Sequence, residues 1–369
     1  MIKYFIYPPF GGKLGYYFRF NPLQHQYYDS PNAVKQAFVS VKSQELLNAF
    51  SIIMAQEFSP NMERIIFNCM QVLLSHKGMN LRDFLRFLRP PTSQAYELLG
   101  KKHYSESVRL FFEHEFNERR LEITKASILT RFENALANYH VAKIFDCKES
   151  SFDLQKSLNQ GKCLLFNLSQ GKLGESGSKM LGSFIMAELT TLALQKERIP
   201  VQFRKPWMGY IDECQNYLTE RIDKILSEAR KYALHITLAN QFLGQVQNSR
   251  LKDSILANTN IKCLGYSSYK DYEKMSKEMN FKGKQTPKLG KGRFIVKVGA
   301  HDPIVIQVYD FLVGKKGSCY ISPEQHRKRL NHNLQNYYTK TVEPPKTEKG
   351  DVSKVNKPKT ELPKIKDIL

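Results

Sequence analysis

The chain has 369 residues, 41% of them hydrophobic and 25% charged, with a formal net charge of +21 and a sequence pI near 9.6. This composition excludes a fibrous or fully disordered polypeptide and leaves room for one large or two smaller globular domains. The charge favours nucleic acid, anionic lipid or an acidic partner without choosing among them. Residues 315–369 hold 13 Lys+Arg and 6 Asp+Glu, so +7 lies in the last segment and +14 on the preceding 314 residues. The excess is therefore not confined to a tail.

Residues 1–29 contain Pro8-Pro9, Gly11-Gly12, Gly15 and Asn21-Pro22, and read as loop around short aromatic strands. Gly11-Gly-Lys-Leu-Gly15 does not make a phosphate cradle, which needs Gly-x-x-x-x-Gly-Lys followed by Ser or Thr. Neither Gly-Lys-Ser nor Gly-Lys-Thr occurs in the sequence. Residues 30–150 are patterned as helices, with apolar residues at three- and four-residue spacing at 33–51 and 60–75. Asn80 is the expected N-cap of a helix over 81–88 that Pro90-Pro91 closes, and further helices are expected at 93–99, 105–117 and 124–139. Six scattered cysteines form no metal spacing and read as reduced thiols. No apolar run approaches the length of a membrane span.

Strand patterning begins at 163–168, followed by a glycine-rich loop over 169–177 and a helix from Ser178 to about Glu197. Trp207 to Ile211 is a short apolar run ending abruptly in Asp212-Glu213. A buried parallel strand that opens onto a ligand crevice has this form. The acidic pair has two readings: a carboxylate for Mg²⁺ beside one that orients a water, or a cap for the following helix. Leu218, Ile222, Ile225, Ala229 and Tyr232 then step along one helical face, which leaves Arg230 off the stripe. A strand over 235–239 ends in Asn240-Gln241. Helices at 251–257 and 269–279 flank a strand at 261–266, and 293–298 with 304–308 read as a hairpin. Alternating strands and helices imply a parallel, doubly wound sheet whose consecutive tips gather on one edge. The glycine loop, Asp212-Glu213 and Gln241 are then able to meet one ligand.

Asn167-Leu-Ser-Gln-Gly-Lys-Leu-Gly174, Tyr210-Ile-Asp-Glu-Cys-Gln-Asn216, Ser227-Glu-Ala-Arg-Lys-Tyr-Ala-Leu234 and Leu238-Ala-Asn-Gln-Phe-Leu243, in this order, resemble the type IV secretion and conjugation coupling proteins, which are RecA-like DNA-pumping ATPases. Phe20-Asn-Pro-Leu23 with a helical block behind it is similar to that family's all-alpha insertion, and the resemblance covers about residues 18–310. It implies an α/β fold: an incomplete RecA-like P-loop NTPase parallel sheet flanked by helices, with an all-helical lobe at 30–150, a core at 151–314 and a basic disordered tail at 315–369. It implies ATP and Mg²⁺ as cofactors, with Asp212 as the Walker B carboxylate on the metal and Glu213 polarising the hydrolytic water. Arg230 would reach the γ-phosphate of a neighbouring subunit, and Gln241 would be the polar sensor.

The implied partners are single-stranded DNA, relaxosome or secretion-channel proteins, and further copies in a hexamer. Arg82, Arg86 and Arg89 are then expected phosphate contacts, and the expected location is cytoplasmic, peripheral at the inner membrane through partners. The sequence departs from the family in two ways, lacking both the N-terminal membrane helices and the Walker A strand and loop. Two functions follow: the catalytic portion of a motor whose P-loop comes from another chain, or a non-catalytic DNA- or relaxosome-binding adaptor, a decayed ATPase among its forms.

Overall fold

Local capping fixes several helix starts where the sequence puts them. Ser59 accepts from the Met62 amide with Pro60 at the first helical position, and Asn80 and Asp83 close a reciprocal capping box. The chain is described by a computed structural model over residues 4–7, 16–54, 58–218, 226, 228, 231–246, 248–281, 289–290, 292–309 and 321–340. It divides into two compact units, Met1–Thr191 with Leu330–Leu369, and Leu192–Arg329. Among the described residues no helix is long and apolar enough to cross a membrane.

The first unit is built on helices α1 (Asn32–Met54), α2 (Pro60–Leu74), α3 (Leu81–Phe87), α4 (Ser93–Lys101), α5 (Glu106–Leu110), α6 (Arg119–Leu136), α7 (Tyr139–Phe145), α8 (Leu154–Asn159) and α9 (Gln170–Gln195). Strand β1 (Tyr4–Tyr7) anticipates the pairing of β3 (Cys163–Phe166), with which it runs parallel, while β2 is Tyr16–Tyr17. Phe50 lies at the centre, with ring centroids 4.9 Å from Phe132, 5.1 Å from Phe84 and 5.5 Å from Phe184. Offset and edge-on aromatic pairs of this kind add to plain area burial. Asn21 is buried and fastens the Asn-Pro-Leu segment to the helices, donating to the Met79 and Lys148 carbonyls at 2.8 Å each and accepting from the Leu23 amide. Lys42, 1% exposed, reaches across from α1 to Glu188 of α9 at 2.8 Å. Breaking a buried pair of this sort by removing one partner costs about 3–5 kcal/mol.

Two expectations change here. The glycine-rich loop over 169–177 is largely helical, because α9 starts at Gln170 and is interrupted only at Gly174, whose φ of 70° is non-helical. Gly177 serves packing: a Cβ there would lie 2.4 Å from Val141 Cγ2. The segment expected as disordered tail contains helix α12 (Pro323–Tyr337) and β9 (Thr339–Lys340), which pairs antiparallel with β2. Leu334 is buried, and Tyr337 and Tyr338 pack on the first unit's core. Leu330, Leu334, Tyr337 and Tyr338 recur at helical spacing, a stripe hidden among basic residues and asparagines.

The second unit carries β4 (Trp207–Ile211) parallel to β5 (Leu234–Leu238), and an antiparallel sheet β6–β7–β8 (Ile261–Leu264, Arg293–Val298, Ile304–Gln307). Helices α10 (Ser249–Asn258, capped by Asn248) and α11 (Tyr269–Glu278, capped by Ser268) lie between these strands in sequence. Of the expected parallel, doubly wound sheet, parallel pairing among the described residues is confined to β1–β3 and β4–β5. The 293–308 hairpin forms as expected and takes β6 as an antiparallel neighbour, which ends the parallel order.

Histidines around the end of α2 are held neutral. His25 Nδ1 accepts from the Tyr27 amide, so Nε2 carries the proton and donates to the Leu74 carbonyl at 2.8 Å. His103 Nδ1 accepts from the Ser105 amide, and its Nε2 donates to Ser75 Oγ at 3.1 Å. Burial pushes both down to about 4 from 6.5. Below pH 6.5 the unfolded chain therefore binds protons that the folded chain refuses until about pH 4, and stability falls across that window. Thermal unfolding is expected to show this decline, with a shallower slope for His103→Gln. Gly100 packs against the Phe112 ring in the π-helical turn Phe111–Glu115, where a Cβ would sit 2.3 Å from Phe112 Cδ2. Gly100→Ala is expected to cost about 1–3 kcal/mol in urea unfolding, the range for overpacking a core.

Candidate active site

β4 and β5 run side by side in register from Trp207 opposite Leu234 to Ile211 opposite Leu238. Their ladder continues beyond both strands: Ala239 donates to the Ile211 carbonyl at 2.9 Å and Cys214 to the Ala239 carbonyl at 3.0 Å. The two chain tips consequently leave the sheet together. At the β4 tip Asp212 Oδ1 accepts the Glu213 amide at 3.0 Å, and Glu213 sits in the left-handed region at φ 50°, ψ 43°. A non-glycine residue there is uncommon and strained. The strain turns the backbone sharply into the 3₁₀ turn Cys214–Asn216, anchored by the buried Cys214.

That turn aims the Glu213 carboxylate at the β5 tip. Oε1 accepts from Gln241 Nε2 at 2.8 Å and Oε2 from Gln215 Nε2 at 2.7 Å. Gln245 Oε1 accepts the backbone amides of Gln241 at 3.0 Å and Phe242 at 3.3 Å, which fixes the loop bearing Gln241. The bonds from Gln215 and then Gln241, with a smaller part from Gln245, hold the Glu213 carboxyl below its ordinary value. Two amide donors on one carboxylate favour its ionised form. Asp212 is exposed, and among the described residues its carboxylate receives only the Glu213 amide. Glu213 makes no side-chain bond capping the 3₁₀ turn Cys214–Asn216; the helix that the pair was alternatively expected to cap lies mostly outside the described residues.

The structure brings Gln241 to Glu213, with Asp212 beside it at the same strand tip. Gln215 and Gln245 were missed, although both lie within a few residues of the acidic pair and of Gln241; only a folded turn shows that their amides point back. Arg230 lies outside the described residues, as does most of the helical stripe that was to place it. Arg82, Arg86 and Arg89 each face a carboxylate of their own unit: Asp146 at 2.8 Å, Asp83 at 3.4 Å and Glu133 respectively. The expectation of a wholly buried β4 is corrected as well, since Met208 and Tyr210 are 59% and 78% exposed on one face. Among the described residues no His, Cys, Asp or Glu cluster makes a preformed metal site.

No family model and no curated protein sequence matches the chain. Its fold does match: the chain superposes on a bacterial conjugative coupling protein. That protein is TrwB. Its unbound monoclinic form superposes with a TM-score of 0.54 at 12% identity, over 83% of this chain and 74% of that one. TrwB in complex with ADP and Mg²⁺ gives 0.52 at 13%, and TrwB with a non-hydrolysable ATP analogue 0.53 at 12%, over the same shares.

If the two amide bonds set the acidity of Glu213, Gln241→Leu raises its carboxyl toward the ordinary range, and Gln215→Leu raises it further. A carbon-13 carboxyl titration of the full chain reads both; an unmoved titration in both variants would show that the amides do not engage it.

Proposed function

We propose that this chain is the catalytic portion of a DNA-translocating ATPase of the coupling-protein type, working in a hexamer with a phosphate cradle that lies outside these 369 residues. The observation that carries the reading is the bond from Gln241 to Glu213, which joins the acidic tip of β4 to an amide just past the neighbouring parallel strand, in a chain with the fold of TrwB. The metal end of Mg²⁺-ATP fits the residues present: Asp212 offers an open carboxylate and Glu213 is held ionised. The phosphate end does not, since the sequence has no Gly-Lys-Ser or Gly-Lys-Thr.

The nucleotide, when bound, supplies an electrophilic phosphorus and a leaving group. Asp212 would hold the metal directly or through its waters. Glu213 is the acceptor for a water proton, with Gln215 and Gln241 setting the direction of its lone pairs. Gln241, bonded to Glu213 by its NH₂ group, is placed to report on the same spot. Arg230 supplies a guanidinium to a neighbouring subunit's site. The net charge of +21 supports DNA as the cargo or track, with relaxosome or secretion-channel proteins as partners.

The second reading is a non-catalytic adaptor, favoured by the net charge of +21, which suits DNA binding without any hydrolysis. An ATPase assay with single-stranded DNA decides between them, using this chain alone and mixed with a P-loop-bearing polypeptide. The motor reading expects activity only in the mixture, lowered about 100-fold or more by Glu213→Gln and about 1,000-fold by Arg230→Ala. Activity of the mixture that survives Glu213→Gln would reject it.

A further inference from the structure

The connection from α9 to β4, at the end of that strand opposite Asp212, turns two of its cations inward, Lys196 and Arg204, and leaves its large apolar side chains outward. Lys196 is buried, donates to the Lys205 carbonyl at 2.7 Å and lies 3.4 Å from the centroid of the Trp207 ring. The Arg204 guanidinium donates to the carbonyls of Ile199 at 2.7 Å, Glu197 at 3.2 Å and Lys231. These two cations close the base of the loop. Pro200 and the 3₁₀ turn Val201–Phe203, with the Phe203 amide on the Pro200 carbonyl at 2.9 Å, stiffen its crest. Val201 and Phe203 are each 71% exposed and Ile199 41%. A loop whose backbone is so well satisfied has no polar reason to hold three large apolar side chains in water.

We propose that this crest inserts into the interfacial layer of an anionic lipid bilayer. Arg198, Lys205 and Lys231 are exposed around it, against Glu197 as the exposed acidic neighbour, and the whole chain carries +21. Cations beside a protruding apolar tip match a surface that is negative at the headgroups and apolar just beneath. A bilayer needs only the side chains that enter it, without the roughly 800 Å² on each side that a specific protein interface buries. β4 is five residues long, so an inserted crest would hold Asp212 and Glu213 about 17 Å from the loop along the strand, at ~3.3 Å per residue.

Vesicle flotation of the full chain tests this, with phosphatidylcholine alone and with one-third phosphatidylglycerol. The chain should float with the anionic vesicles only. The double variant Val201→Ser/Phe203→Ser should weaken that binding by about tenfold, since affinity follows the apolar area inserted, with an unchanged unfolding midpoint. In Phe203→Trp, the introduced indole should shift to the blue on anionic vesicles and be quenched by brominated acyl chains, over the constant signal of Trp207. Full-strength binding by the double variant would mean adsorption by charge alone and overturn the proposal. So would an unmoved emission, or an assembly of chains that falls apart in the double variant while no vesicle is bound.

Discussion

The parallel, in-register pairing of β4 with β5 is the constraint on which the candidate site depends. Because Ile211 stands opposite Leu238 and the ladder runs on through Ala239 and Cys214, the next residues of both strands emerge at one level. A slip of one residue would exchange the faces of every side chain in the strand. Gln241 would then no longer oppose Glu213. The left-handed turn at Glu213 is tolerated because bonds on both sides over-determine it: the Asp212 carboxylate behind, and two amides in front.

A strongly basic chain also has to place cations where no solvent reaches, and one device recurs. Lys42 meets the Gln24 carbonyl and Glu188, Lys125 the Phe116 carbonyl and ring, and Lys196 the Lys205 carbonyl and the Trp207 ring. Each ammonium gains a main-chain oxygen plus a carboxylate or an aromatic face, which offsets part of the desolvation it suffers. Such lysines tie an element's end to a distant segment and contribute little to the outer field. Arg82, Arg86 and Arg89 are similarly matched by acidic neighbours.

Much of the helical unit was legible because its signals are local. Asn80 with Asp83, Ser59 with Pro60, and the apolar spacing of α2 report on themselves. Trp207 to Ile211 and its acidic end were legible for the same reason, as was the strand carrying Leu238 toward Gln241. What escaped depends on distant partners. Helix α12 is polar almost throughout; Leu334 is its one buried apolar residue, and Tyr337 and Tyr338 pack its end against a core laid down much earlier in the chain. The antiparallel place of β6 is decided by β7, across a gap of about thirty residues. The amides of Gln215 and Gln245 matter only after a strained turn has brought them back upon Glu213 and Gln241.

The first unit is discontinuous: β9 pairs with β2, and residues 330–340 complete a body whose other described residues lie before 192. On the ribosome, which releases the chain from one end, the strand that closes this body is the last described element to emerge. Its inner helices are free to collapse early, while the intervening unit has to be synthesised in full before the final edge is sealed. Until then the β2 edge stands open, and it is there that a nascent chain of this protein is most exposed to pairing with the wrong strand.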